Sequence, residues 1–185
     1  MRLFIAMSFP EAVLRPANER LARVKTKLPP AAWVKPESQH LTFAFLGEQQ
    51  ESLIEKLVPL VERSVGAVTK FDGTLAGCGF FPNPRHARVG WVGVNPEDSF
   101  NALAKAVRDA VQEAGVTLDR AEFRAHLTLM RIRDPWPPAC IETFNGALRD
   151  YTSTPFAVER ITLFSSLLSP SGAVHTALRS FALSA

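Results

Sequence analysis

Two short stretches of the sequence, His40-Leu41-Thr42 and His126-Leu127-Thr128, repeat one chemical pattern: an imidazole and a hydroxyl separated by a single apolar residue. Alternate side chains of a β-strand share a face. His40 and Thr42 are therefore expected on one side of their strand, with Leu41, Phe43 and Phe45 on the other, in a core. The same alternation sets His126 and Thr128 against Leu127 and Leu129. Two such strands facing one another would gather two imidazoles and two hydroxyls around one small volume. Histidine, with an unperturbed pKa near 6.5, can give or take a proton close to neutral pH. A pair of them can relieve a nucleophile of its proton and supply one to a leaving group. In-line displacement at a phosphodiester calls for that pair on opposite sides of phosphorus, and the two threonine hydroxyls can hydrogen-bond the non-bridging oxygens. Such a scheme requires no metal. One His-x-Thr by itself reads as a hydrogen-bonded structural histidine; its repetition is what makes a candidate site.

The elements that must position these residues also come in two series. His126 lies 86 residues beyond His40, and Pro96, which closes Val94-Asn95-Pro96-Glu97, lies 86 beyond Pro10 of Ser8-Phe9-Pro10-Glu11. From each proline an amphipathic helical pattern leads to a His-Leu-Thr. Beyond the motifs, residues 51–65 place apolar side chains at helical spacing, and 138–151 do so more weakly. Two hairpins follow. Residues 71–81 and 88–94 are joined through Pro82-Asn83-Pro84-Arg85, and 156–168 and 174–183 through Ser169-Pro170-Ser171-Gly172, residues suited to turns. Thr74-Leu75-Ala76-Gly77-Cys78-Gly79 reads as a bend or bulge. The expected fold class is α+β: a bilobal, duplicated, pseudo-two-fold architecture with two mainly antiparallel sheets, outer helices and a central cleft. The 185 residues are expected to form one domain of two intertwined repeats, approximately 1–86 and 87–185.

Composition narrows the function classes. Apolar residues make up 46% of the chain, enough for a packed core, and no apolar run approaches the ~18–20 residues that cross a bilayer. The opening Arg2-Leu3-Phe4-Ile5-Ala6-Met7-Ser8 is expected to be a buried strand rather than a signal segment. Cys78 and Cys140 make no disulfide framework, which fits a cytoplasmic location. The net charge of +3 favours polyanions only mildly. A zinc site is not expected, because the two motif histidines lack clustered Cys, His, Asp or Glu companions. Neither a phosphate-binding Walker loop nor a dinucleotide fingerprint is present.

These residues resemble the 2H phosphoesterase superfamily, and within it the bacterial and archaeal RNA 2′,3′-cyclic phosphodiesterases, also called 2′-5′ RNA ligases. The likeness runs through Arg2-Leu3-Phe4-Ile5-Ala6, Trp33-Val34-Lys35-Pro36-Glu37, His40-Leu41-Thr42-Phe43, Phe80-Phe81-Pro82-Asn83-Pro84-Arg85, Phe123-Arg124-Ala125-His126-Leu127-Thr128-Leu129 and Leu163-Phe164-Ser165-Ser166. It implies a bilobal fold and opening of an RNA 2′,3′-cyclic phosphate at the 3′-oxygen to leave a 2′-phosphomonoester. His40 is then the proton donor, His126 the proton acceptor, and Thr42 and Thr128 bind phosphate, with no cofactor or metal. The expected partner is an RNA or oligoribonucleotide with a 2′,3′-cyclic phosphate end, with no membrane, acted on by a monomer. A small-nucleotide cyclic phosphodiesterase, a reversible 2′-5′ RNA ligase and a non-catalytic RNA-end binder are the alternatives. The family often carries an arginine after the second motif. Arg131 stands there, but strict alternation sends it to the face opposite His126, so a bulge or a strand end has to redirect it. His175 departs from the aromatic, such as tyrosine, common at its place, and is read as an ordinary edge-strand histidine. His86 is expected in solvent. Trp33 stands open between base stacking and packing, while Arg124 and Lys35 are read as solvated.

Overall fold

A computed structural model describes residues 1–119, 122–169 and 172–185. Among the described residues, nine strands and four α-helices follow in the order β1 (Arg2–Ser8), α1 (Glu11–Lys25), β2 (Ala32–Trp33), β3 (His40–Glu48), α2 (Leu53–Val65), β4 (Phe71–Phe81), β5 (Val89–Asn95), α3 (Glu97–Glu113), β6 (His126–Arg131), α4 (Pro138–Leu148), β7 (Phe156–Val158), β8 (Arg160–Ser169) and β9 (Gly172–Ala182). The strands form a four-stranded sheet of order β3-β1-β8-β9 and a five-stranded sheet of order β2-β6-β5-β4-β7. Every pairing within these two sheets is antiparallel. Each sheet takes strands from both halves of the chain: β8 and β9 complete the sheet begun by β1 and β3, while β4 joins the sheet of β5 and β6.

The helices form where apolar residues recur at helical spacing. Val13, Leu14, Ala17 and Leu21 are the buried stripe of α1, and Leu57, Val61 and Val65 that of α2. In α3 the stripe is Phe100, Leu103, Ala104, Val107, Ala110 and Val111, and in α4 it is Ile141, Phe144 and Leu148. These faces and the inward sides of both sheets share a single continuous hydrophobic cluster. Full burial of a side chain such as Leu41 or Leu127 contributes roughly 1.5–3 kcal/mol. The apolar neighbours of the motif histidines and threonines thus anchor the two strands in that core.

Two expectations change. The stretch 156–168 is not one strand. The chain pairs β7 with β4 in one sheet, then crosses at Glu159 and pairs β8 with β1 in the other. The Glu159 carbonyl meanwhile accepts from the Leu183 amide at 2.8 Å. Phe45 is not in the core; it is 49% exposed. Register explains why. Ile5 faces Ala44 and Ala6 faces Thr42, leaving Phe43 as an extra residue in β3. This bulge puts Phe43 and Ala44 both into the core and reverses the alternation beyond them. The expected bulge near Gly77 is present, with a register shift between Leu75 and Cys78 and a positive φ of 73° at the glycine. In the second hairpin turn, Pro170 and Ser171 lie outside the described residues.

Candidate active site

The two motif strands are adjacent: β3, an edge of its sheet, lies against β6, which has only the two-residue β2 outside it in its own sheet. On β3, His40 and Thr42 are half-buried between fully buried neighbours; on β6, His126 and Thr128 stand the same way around Leu127. Alternation therefore operates through the motif itself.

Beyond the motif, β6 carries the same irregularity as β3. Gly90 faces Met130 and Trp91 faces Thr128, so Leu129 is the extra residue. Leu129 and Met130 are both buried, and Arg131 emerges exposed on the side of His126 and Thr128. Leu129 stands 86 residues after Phe43, and Arg131 86 after Phe45. The bulges are thus at matching places, and the arginine whose phase conflicted with strict alternation is turned toward the cleft. Its charge lowers the proton affinity of both His40 and His126, so it lies within electrostatic reach of each.

The imidazoles are held alike. His40 Nδ1 is 2.7 Å from the Ser38 carbonyl oxygen, and His126 Nδ1 is 2.7 Å from that of Arg124. A carbonyl only accepts, so Nδ1–H is the donor in both rings. That tautomer leaves each Nε2, across the ring, with its lone pair free. Burial depresses the pKa of His40 below the usual imidazole value. The bond to Ser38 works in the opposite direction, while the charges of His175 and Arg131 push it down further. His126 is likewise depressed, first by burial and then by Arg131, against the bond to Arg124.

Aromatic rings complete the walls. Phe4 of β1 lies 5.0 Å from His40, ring centre to ring centre, and Phe81 of β4 meets His126 edge-on at 4.9 Å. Phe81 also stacks on Trp91 at 5.1 Å. Beside His126 the cleft opens into a cavity of about 420 Å³ between Trp91, Asn101 and Phe123. Phe45 stacks on Phe4 at 6.4 Å and carries the Arg2 guanidinium 4.9 Å above its ring.

The sequence reads His175 as an ordinary edge-strand residue. Its strand β9 is indeed the edge of its sheet, yet its ring lies 5.4 Å from His40 and 4.9 Å from Phe4. No spacing rule links residue 175 to residue 40; only the departure from the family pattern marks it. Phe4 and Phe81 are likewise visible in the sequence only as apolar residues of strands. His86 is exposed as expected. Arg124 is exposed and 3.8 Å from Glu122, and Lys35 is exposed. Trp33 is half-buried, packed on the core, with the Lys25 ammonium 5.1 Å over its ring. Among the described residues no group of three or more His, Cys, Asp or Glu is arranged to hold a metal ion, and no helix is long and apolar enough to cross a membrane.

Comparison with known proteins gives the chain's family and its relatives in fold. The family model described as the 2′-5′ RNA ligase superfamily matches residues 12–169. The chain is similar to the RNA 2′,3′-cyclic phosphodiesterase of Archaeoglobus fulgidus, at 33% identity covering 98% of this chain and 99% of the relative. It is also similar to that of Thermotoga maritima, at 31% identity covering 96% and 93%. Among solved structures, TT0787 of Thermus thermophilus superposes with a TM-score of 0.80 at 30% identity, covering 98% of this chain and 97% of the other. The E. coli LigT complexed with 3′-AMP superposes with a TM-score of 0.75 at 25% identity, covering 98% and 97%.

Proposed function

The chain belongs to the 2′-5′ RNA ligase superfamily, and from that membership we propose that it is an RNA 2′,3′-cyclic phosphodiesterase working by metal-independent acid–base catalysis between two histidines. The observation that carries the reading is the matched pair of imidazoles. Each is anchored through Nδ1 on a carbonyl two residues upstream, each has a threonine on its face, and one arginine lies within electrostatic reach of both. The two halves, approximately 1–86 and 87–185, are read as repeats of one unit that contribute one imidazole each.

The reaction follows from these parts. A cyclic phosphate bound between the strands accepts hydrogen bonds from Thr42 and Thr128, and Arg131 offsets its charge. His126, neutral because its proton affinity is depressed, takes a proton from water through Nε2 as the oxygen–phosphorus bond forms. The bond from phosphorus to the ribose 3′-oxygen breaks, and protonated His40 supplies the proton that oxygen needs. The product is a 2′-phosphomonoester. A bound phosphate anion favours the charged form of His40, which countervails the depression seen in the free site. The lowered value also makes the imidazolium a stronger acid toward the leaving oxygen.

The test is incubation with an oligoribonucleotide ending in a 2′,3′-cyclic phosphate, in the presence of chelator, with 2′- and 3′-phosphate products resolved. Turnover to the 2′-phosphate is expected, and His40→Ala and His126→Ala are each expected to lower kcat by about 10²–10⁴-fold. A 3′-phosphate product, or a requirement for added metal, overturns the mechanism. Running 2′,3′-cyclic AMP in parallel separates an RNA-end enzyme from one acting on small nucleotides.

A further inference from the structure

The two imidazoles share a backbone anchor, but their ring neighbours differ in kind. His126 has the phenyl of Phe81 edge-on to it, at 4.9 Å and 85°. The edge-on partner of His40 is His175, at 5.4 Å and 87°. Distance and angle are nearly the same, so the packing function is met on both sides. What differs is that one partner ionises and the other does not.

We propose that His175 is a positioning residue for His40: its edge-on ring fixes the plane of the His40 imidazole, and a proton on either ring disfavours one on the other. The inference rests on the reading of His40 as the proton donor. His175 is held from below by Phe4, whose ring it meets at 73° and 4.9 Å, and Phe4 in turn lies 5.0 Å from His40. The three rings form a closed triangle, so rotating one displaces the others. His175 Nδ1 is buried and has no hydrogen-bond partner, unlike Nδ1 of His40 and His126.

Few groups could neutralise a second proton here. The Arg131 guanidinium from β6 and the Ser38 carbonyl face His40, while Ser166 of β8 stands opposite His175 in register. From β1 the Phe4 ring packs against both, Ser8 stands opposite His40 in register, and Arg2 stands opposite Ser166. Among the described residues no carboxylate pairs with either ring. With Arg131 already present, two imidazolium groups 5.4 Å apart would add a third positive charge to an uncompensated cluster. Burial keeps both rings reluctant to charge, and His175 is among the influences that lower His40. Beside His126 the phenyl imposes no such exclusion. The arrangement therefore couples the proton on the leaving-group side to a second titrating ring, and leaves the water-side base independent of it.

The experiment is an NMR titration of the histidine ring signals in wild type, His175→Phe and His175→Ala, together with kcat/KM against pH. In His175→Phe the edge contact is kept and the charge coupling removed. His40 is expected to gain about 3- to 10-fold in proton affinity, a rise of roughly 0.5–1 pH unit, while His126 keeps its midpoint. Because His40 must be protonated to act, the alkaline limb of the profile moves to higher pH by the same amount. His175→Ala loses the packing as well, and is expected to lower kcat by about 10-fold with little change in KM. The reciprocal variant Phe81→His introduces a titrating neighbour beside His126. It is expected to lower the His126 midpoint and move the acidic limb to lower pH.

An unchanged His40 midpoint in His175→Phe overturns the proposal, as does a midpoint that rises without moving the alkaline limb. If the phenyl overpacks and the variant does not fold, His175→Asn supplies the same comparison. The titration needs no turnover, so it tests the ring pair even if hydrolysis of cyclic phosphates is not observed.

Discussion

At the scale of single residues, the site is a set of charges and hydrogen bonds with one sign in excess. Two imidazoles donate through Nδ1 to the carbonyls of Ser38 and Arg124, and Arg131 supplies a fixed positive charge near both. That charge opposes protonation of the free site, yet in the proposed reaction it offsets the charge of the bound phosphate. Replacing Arg131 by Ala is therefore expected to have two separable effects. Ring-NMR titration should find both His40 and His126 taking their protons at higher pH, because a repulsion has gone. Steady-state kinetics should find kcat/KM lower by about 10²–10³-fold, because stabilisation of the phosphate in the transition state has gone too. Arg131→Lys restores the charge but not the planar fork, and should recover the titrations more fully than the rate. An Arg131→Ala variant with wild-type kcat/KM would remove this residue from the site.

At the scale of elements, the deciding feature is a single extra residue in each motif strand. Without the bulges at Phe43 and Leu129, Phe45 and Arg131 would both point into the core. The first could be accommodated; the second would bury an unpaired guanidinium. The signal is present in the sequence as two consecutive apolar residues after each His-x-Thr, Phe43-Ala44 and Leu129-Met130, where strict alternation asks for a polar one. A run of two apolar residues is ambiguous by itself, since it also suits a strand buried on both faces. The arginine that follows Met130 resolves the ambiguity, because it is costly to bury and must be turned outward. Inserting an alanine between Met130 and Arg131 tests this directly. With the bulge kept, the added residue takes the cleft-side place and sends Arg131 to the core face, and urea unfolding is expected to show a loss of about 3–5 kcal/mol, the range for an uncompensated buried charge. The same insertion between Ala44 and Phe45 moves only Phe45 inward, and its cost is expected to be about 1–3 kcal/mol, that of overpacking. Equal costs in the two insertions would show that the bulges do not control side-chain phase.

At the scale of the whole molecule, the site binds fewer protons folded than unfolded. His40, His126 and His175 are all depressed from their ordinary value, first by burial. The unfolded chain therefore takes up protons near pH 6.5 while the folded one does not, and stability rises with pH across that interval. The urea midpoint is expected to be highest above about pH 7 and to fall as the pH drops below about 6.5. A His40→Gln/His126→Gln double variant should flatten that slope; an unaltered slope would mean that burial of these rings does not govern the acid response. The interlocked sheets make this a property of the molecule rather than of one half, since β8 and β9 cover the first sheet and β4 the second. By itself, the sequence determined the local parts: helices from apolar spacing, strands from alternation, the His-Thr pairs from that same period, and their equivalence from a shared offset. Only the tertiary structure decided which distant rings meet them. His175 reaches His40 across 135 residues, from His40 to His175, because β9 pairs with β8 and β8 with β1. Strand order in a sheet is set by how the whole core closes, and periodicity along one segment carries no information about it.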